Sequence, residues 1–220
     1  MVLVCFAGVA LASAETASRS YRGFTVTQDG GKLDESSQAA VAEQIDIVLS
    51  VGLDREMIRF FQSVPFVVVP ADSMPRRTPG LYVGNVRAVK LTSSIVSVGH
   101  KPVLLHELLH AFHDQKMPKG FRNAQVLKLY QGAKSNGTFN LKSHMMQNPA
   151  EYLACAGTTF LFGVTAQEPF RRVKLNDQPG LIRFLRDLFG PSCGEYIGSL
   201  SSSAPNHTAE SGSLSLAGSP

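Results

Sequence analysis

The sequence predicts an α+β fold, because a helical segment, a group of strands and a mostly helical C-terminal half follow one another along the chain. Apolar residues recur at helical spacing in both halves, whereas residues 64–69 are VPFVVV, a continuous apolar run typical of buried strands. With 220 residues, of which 44% are apolar and 17% charged, the chain can form one domain with a substantial core.

The elements of the N-terminal half follow from periodicity and from capping residues. A β-like run over 21–27 precedes a helix that Asp34 or Ser36 can cap and that ends near Leu53. A second helix is predicted over 54–62, and the buried strand over 64–69. A loop over 71–80 then leads to one or two further strands, over 81–84 and 86–92.

Helices dominate the C-terminal half. Pro102 suits the first turn of a helix that carries the sequence HELLH at 106–110. Three more helices are predicted over 123–134, 149–162 and 180–189. Residues 201–220 lack aromatic side chains and any periodic apolar pattern, so we expect a disordered tail after a domain that covers 15–200.

The first fourteen residues, MVLVCFAGVALASA, are almost purely apolar but too short to span a bilayer. They end in Ala12-Ser13-Ala14, a small-x-small pattern that is typical of signal-peptidase cleavage sites. No Lys or Arg precedes the run, so a buried N-terminal strand is the alternative interpretation. The signal-peptide interpretation of 1–14 predicts an exported protein, secreted or periplasmic, with no stable membrane insertion after cleavage.

Charge and cysteine content narrow the possible partners and the redox state. The net charge of +4 comes from scattered Lys and Arg without a basic stripe, so nucleic-acid binding is not expected. Signal cleavage would remove Cys5 and leave Cys155 and Cys193. In an oxidising compartment these two could form a disulfide or remain buried thiols, and the sequence leaves both possibilities open.

The HELLH helix carries the residues of a zinc-hydrolase motif. Residues four apart lie on one face of a helix, so His106 and His110 can bind one metal ion through their ring nitrogens. Glu107 lies one step round the helix, where it can take a proton from a water molecule that zinc binds and acidifies. The alternative is a core helix with incidental histidines, which would have to bury three polar groups without a metal.

Two residues are candidates for a third ligand. His113 stands about 10 Å along the helix axis from His106, too far for both to reach one ion, so it and Asp114 are expected to support the ligands or lie at the surface. Asp114 could orient the ring of His110. The other candidate is Glu151, although Asn148 and Glu151 also have the spacing of a capping box, and local sequence does not decide between the two roles.

The pair of segments HELLHAFHD at 106–114 and NPAEYLA at 148–154 resembles the gluzincin metallopeptidases, in particular the catalytic domain of anthrax lethal factor and related bacterial secreted proteins. The resemblance covers roughly 100–190. It implies a zincin-like fold, with a small mixed sheet beside the active-site helix. It also implies that His106, His110 and Glu151 bind a single Zn²⁺ ion and that Glu107 is the general base.

Two positions depart from that family. The family has a tyrosine that donates to the developing oxyanion seven residues before the ligand glutamate, and here that position is His144, which can also donate. Tyr130 and Tyr152 are alternative donors. The family tends to have an acidic residue four positions after the ligand glutamate, and here that position is Cys155.

These observations predict an exported, zinc-dependent metallopeptidase that hydrolyses peptide bonds in a peptide or protein substrate. The strands at 81–92 would form the sheet edge to which an extended peptide could add. A non-catalytic zinc-binding protein on the same scaffold is the main alternative, which the residues at 144 and 155 favour. A metal-free interaction domain is the third. The sequence does not identify a partner protein.

Overall fold

The structure is a computed structural model that describes residues 17–29, 33–98, 100–165, 168 and 171–191. Within these ranges it is a mixed α+β protein, as predicted, with a single five-stranded sheet and a mostly helical C-terminal half. The expected signal peptide, the expected tail and Cys193 lie outside the described residues. Among the helices of the described part, none is long and apolar enough to span a bilayer.

The sheet combines antiparallel and parallel pairings. Its strands are β1 (Ala17–Tyr21), β2 (Phe24–Gln28), β3 (Phe66–Val69), β4 (Gly80–Val83) and β5 (Ala88–Thr92). Their spatial order is β1-β2-β3-β5-β4, with β1 antiparallel to β2, β5 parallel to β3 and antiparallel to β4, and β2 parallel to β3. The strand β4 therefore lies at one edge of the sheet, as predicted, whereas β5, which was predicted to belong to the same edge, is internal and lies between β3 and β4.

Six α-helices accompany the sheet in the described part of the chain. They are α1 (Glu35–Ser50), α2 (Arg55–Ser63), α3 (Val103–Gln115), α4 (Ala124–Asn136), α5 (Pro149–Phe162) and α6 (Pro179–Phe189). Asp34 caps α1 and Asp54 caps α2, each by accepting a hydrogen bond from the backbone N–H three residues later. The predicted helices are confirmed, with boundaries shifted by a few residues.

The N-terminal hairpin differs from the prediction of one strand over 21–27. Tyr21 pairs with Phe24, so Arg22 and Gly23 form a two-residue turn, and both have positive φ, 47° and 85°. Such turns match the twist of the flanking strands and usually contain Asn or Gly. An arginine is rare at positive φ, and for this reason the sequence did not indicate that the run is divided into two strands.

One face of the sheet is covered by helices, and α3 lies at the centre of the molecule. The buried face carries side chains from four strands, including Val26, Phe66, Val89 and Tyr82, which are in register across the sheet. Helix α3 packs between the strands β4 and β5 on one side and α5 on the other. A Cβ atom at Gly157 of α5 would come within 3.0 Å of a methyl group of Leu109, so this glycine allows α5 to approach α3 closely.

Candidate metal centre

Helix α3 presents two histidines side by side at the end of α5. Its remaining faces are apolar and buried, through residues that include Leu104, Leu105, Leu108 and Leu109, so the helix is fixed by the core on several sides. The Nε2 atoms of His106 and His110 lie 3.2 Å apart, and their rings are nearly perpendicular. The helical spacing therefore brings the two imidazoles together, as predicted.

The N-terminus of α5 supplies a carboxylate to the same place. The side chain of Asn148 accepts hydrogen bonds from the backbone N–H groups of Ala150 and Glu151, and Pro149 occupies the first turn. The Glu151 carboxylate faces the histidines, with its Oε2 at 3.1 Å from Nε2 of His106 and 3.5 Å from Nε2 of His110. Glu151 therefore joins the histidine cluster, where it could serve as a third ligand.

The three donor atoms have the spacing of a metal site. His106, His110 and Glu151 form a group that could hold a metal ion. A tetrahedral zinc ion with bonds of about 2.0–2.1 Å separates its ligand atoms by about 3.3–3.4 Å. The observed separations of 3.1, 3.2 and 3.5 Å bracket that value. Two imidazoles and one carboxylate are a donor set that suits zinc, so the residues present fit this ion.

Hydrogen bonds and charges at the site favour the ionised form of Glu151 and the charged forms of His110 and His144. Burial disfavours the ionised carboxylate, but the hydrogen bonds with His106, His110 and His144 outweigh it and hold the pKa of Glu151 far below its usual range. Burial also disfavours the charged form of His110. The hydrogen bond to Glu151 and the charges of Glu107 and Glu151 nevertheless raise the pKa of His110.

Glu107, the predicted general base, is buried and bonded to the sheet edge. Its Oε2 accepts a hydrogen bond of 2.7 Å from the backbone N–H of Tyr82 in β4. Thr92 donates its backbone N–H to the carbonyl of Pro79, and the alternation of antiparallel pairs then directs the N–H of Tyr82 away from β5. Glu107 therefore lies at the outer edge of β4, which is an edge of the sheet within the described residues, and occupies an N–H group with which a further strand would pair.

Tyr82 is a residue of this region that the sequence reasoning missed. Its hydroxyl group donates a 2.8 Å hydrogen bond to Oδ2 of Asp114 and accepts one from Gln115, so Tyr82 is bonded to α3 at both ends of the residue. Burial and the bond to Asp114 raise the pKa of Tyr82 to about 12. Asp114 was expected to orient His110, and its observed partner is Tyr82. A tyrosine in a short strand carries no sequence signal for this contact.

His144 reaches the site from the 3₁₀ turn His144–Met146. Its Nε2 lies 2.8 Å from Oε2 of Glu151, and its side chain is 37% exposed. The hydrogen bond to Glu151 raises the pKa of His144 although burial opposes this. The fold therefore brings His144, which the sequence analysis singled out, into contact with Glu151.

The alternative tyrosines lie in the core. The hydroxyl of Tyr130 donates to the backbone carbonyl of Met146, and Tyr152 is almost fully buried against the ring of Tyr130. Cys155 is also fully buried on α5, where burial and the charges of Glu151 and Glu107 raise the pKa of its thiol. His113, a supporting or surface residue by prediction, is fully buried next to Phe121, so the surface interpretation was wrong.

Comparison with known proteins does not assign this chain to a protein family. No protein-family model matches the chain, and no curated protein matches it.

Proposed function

We propose that this protein is a zinc-dependent metallopeptidase in which His106, His110 and Glu151 hold the ion and Glu107 is the general base. The observation that carries the proposal is the spacing of the three donor atoms, 3.1–3.5 Å, on two helices that pack against each other in the core. When bound, a zinc ion would polarise the substrate carbonyl and acidify water.

The position of Glu107 supports hydrolysis of a peptide bond in particular. One carboxylate oxygen binds the N–H of Tyr82, and the same carboxylate carries its charge next to His110 and His144. Glu107 thus connects the outer edge of β4 with the helix that carries His106 and His110. A peptide that added to this edge as an extra strand would take the N–H of Tyr82 from Glu107 and run past this carboxylate, which could then take a proton.

The exported location remains part of the proposal. It rests on the apolar run of 1–14 and its small-x-small end. The mass of the mature protein recovered from the growth medium or periplasm tests it. A mature N-terminus at Glu15 is expected, and an intact Met1 in the cytoplasmic fraction would contradict it.

The experiment that tests the metal site compares metal content in variants purified without chelator. Elemental mass spectrometry should find about one zinc per chain in the wild type and in Glu107→Gln, and far less in Glu151→Ala. Glu56→Ala is the matched control, because Glu56 is exposed on α2. Equal zinc in Glu151→Ala and the wild type would refute the ligand assignment.

Catalysis is tested separately with an unfolded protein substrate. The zinc-loaded wild type should cleave it, and Glu107→Gln should lose about 10²–10⁴-fold in rate while keeping its zinc. The contact between His144 and Glu151 and the thiol at Cys155 favour a non-catalytic zinc-binding protein as the second candidate. A wild type that binds zinc but cleaves neither unfolded protein nor cell-wall peptides would favour that candidate.

A further inference from the structure

His144 differs from the other two histidines in its distance to Glu151. The three atoms of the ligand group are separated by 3.1–3.5 Å, which is the spacing of ligands around one ion. Nε2 of His144 lies 2.8 Å from the same Oε2 atom, which is a hydrogen-bond distance and shorter than the ligand spacing. His144 is also not a member of the group of residues that could hold a metal ion.

The proton of this hydrogen bond must belong to His144. A carboxylate that binds a metal ion can only accept a hydrogen bond, so at this 2.8 Å contact Nε2 of His144 supplies the hydrogen. Nε2 of His106 and Nε2 of His110 would have to be free of protons to bind a metal, and their hydrogen bonds to Glu151 would then be lost. The bond from His144 is the one that metal binding leaves in place.

The backbone on either side of His144 holds the ring where it is. Met145 and Met146 are buried in the core, and the hydroxyl of Tyr130 donates a 2.8 Å hydrogen bond to the carbonyl of Met146. The 3₁₀ turn packs against α5, the helix that carries Glu151. The ring and its acceptor are thus positioned by the same part of the core.

The geometry points to His144 as a positioning residue for the metal ligand: its Nε2–H donates to the Glu151 carboxylate and holds it in the orientation that faces the ion. This inference rests on the proposed metal site. It also competes with the oxyanion role predicted for His144, because the Nε2–H that is directed at Glu151 does not face the substrate. Hydrogen-bond partners of this kind typically change metal affinity by about 10–100-fold when removed.

The test measures zinc affinity by competition with a fluorescent chelator. We expect His144→Leu to bind zinc about 10–100-fold more weakly than the wild type. His144→Gln should stay within about threefold of the wild type, because its amide nitrogen can replace Nε2 as the donor. His100→Leu is the control for loss of a histidine, since His100 is exposed and bonded to Glu43. Thermal unfolding of the metal-free variants shows whether each is folded.

Each other result overturns the inference. Wild-type affinity in His144→Leu would show that Glu151 is oriented without His144. If the visible spectrum of the cobalt-loaded His144→Leu variant differed in shape from that of the wild type, His144 would be a direct ligand. If His144→Gln bound as weakly as His144→Leu, the donated hydrogen would not be the cause. A wild type that binds no zinc overturns the proposed function, and this inference with it; the other three results leave the metal site intact.

Discussion

Replacing His113 should remove a pH-dependent loss of stability. Its ring is fully buried, and within the described residues neither ring nitrogen has a hydrogen-bond partner. Burial, together with the nearby charge of His110, lowers the pKa of His113 to about 4 from the usual value of 6.5. The two pKa values differ by about 2.5, and a difference of one corresponds to about 1.36 kcal/mol, so His113 contributes about 3 kcal/mol to the pH dependence of the free energy of unfolding.

The sign of the effect follows from which state binds the proton. Below pH 6.5 an unfolded chain protonates His113, while the folded protein does not until the pH approaches 4. The contribution to the free energy of unfolding is therefore fully present above pH 6.5. It is lost as the pH falls towards 4, by about 1.4 kcal/mol for each pH unit, and does not change further below that.

Urea unfolding of the metal-free protein between pH 7.5 and pH 4 measures this difference. Relative to the wild type, His113→Leu should gain about 3 kcal/mol over that range, and His113→Gln should gain the same, because neither residue titrates. At pH 7.5 only His113→Leu should be more stable, by about 1 kcal/mol or more, because it removes an unpaired buried polar group. If the wild type and both variants lost stability in parallel on acidification, the reasoning would be refuted.

Three further predictions concern the helices and the metal. Gly80→Ala should destabilise the protein by about 1–3 kcal/mol in urea unfolding, because its Cβ would lie 2.6 Å from Cγ1 of Val103; unchanged stability would contradict this. Asn148→Ala should cost about 0.5–2 kcal/mol and weaken zinc binding, because it uncaps the turn that carries Glu151, and thermal unfolding with a zinc titration checks both. Burial disfavours the charged form of His110, but the hydrogen bond to Glu151 outweighs burial and raises the pKa of His110, so zinc competes with a proton for this ring. Calorimetry should therefore show weaker zinc binding at pH 6 than at pH 8, and equal affinities at the two pH values would contradict this prediction.

The parts of the fold that the sequence predicted are those that a local pattern determines. The strand β3 is a continuous apolar run, and α3 and α5 have apolar residues on most faces, so their type follows from periodicity. The division of the first strand into two was missed because the turn contains Arg22 at positive φ. The order of the strands in the sheet depends on long-range pairing, for which a single sequence carries no pattern.

The candidate site, like the fold, could be predicted from the sequence only where a local pattern determines it. The relation between His106 and His110 is a property of one helix, and the structure confirms it. Glu151 could be distinguished from a capping residue only by the resemblance, because its contacts lie 45 and 41 residues away in the chain. The contact between Glu107 and the backbone of Tyr82 depends on how α3 crosses β4, which is a tertiary property.

Cys155 and His144, the two positions that depart from the pattern of the gluzincin metallopeptidases, can be explained together by the negative charge at the site. Cys155 has a raised pKa and is therefore a neutral thiol, at a position where the metallopeptidases that the motifs resemble tend to have an acidic residue. Glu107 and Glu151 bring two negative charges, which a divalent cation would balance, so a third buried carboxylate would need a further partner. His144 contacts Glu151 from outside the helix and donates a hydrogen bond without adding negative charge. In the proposed metal site, an imidazole at the rim would therefore orient the carboxylate of Glu151, while a neutral thiol occupies the core position.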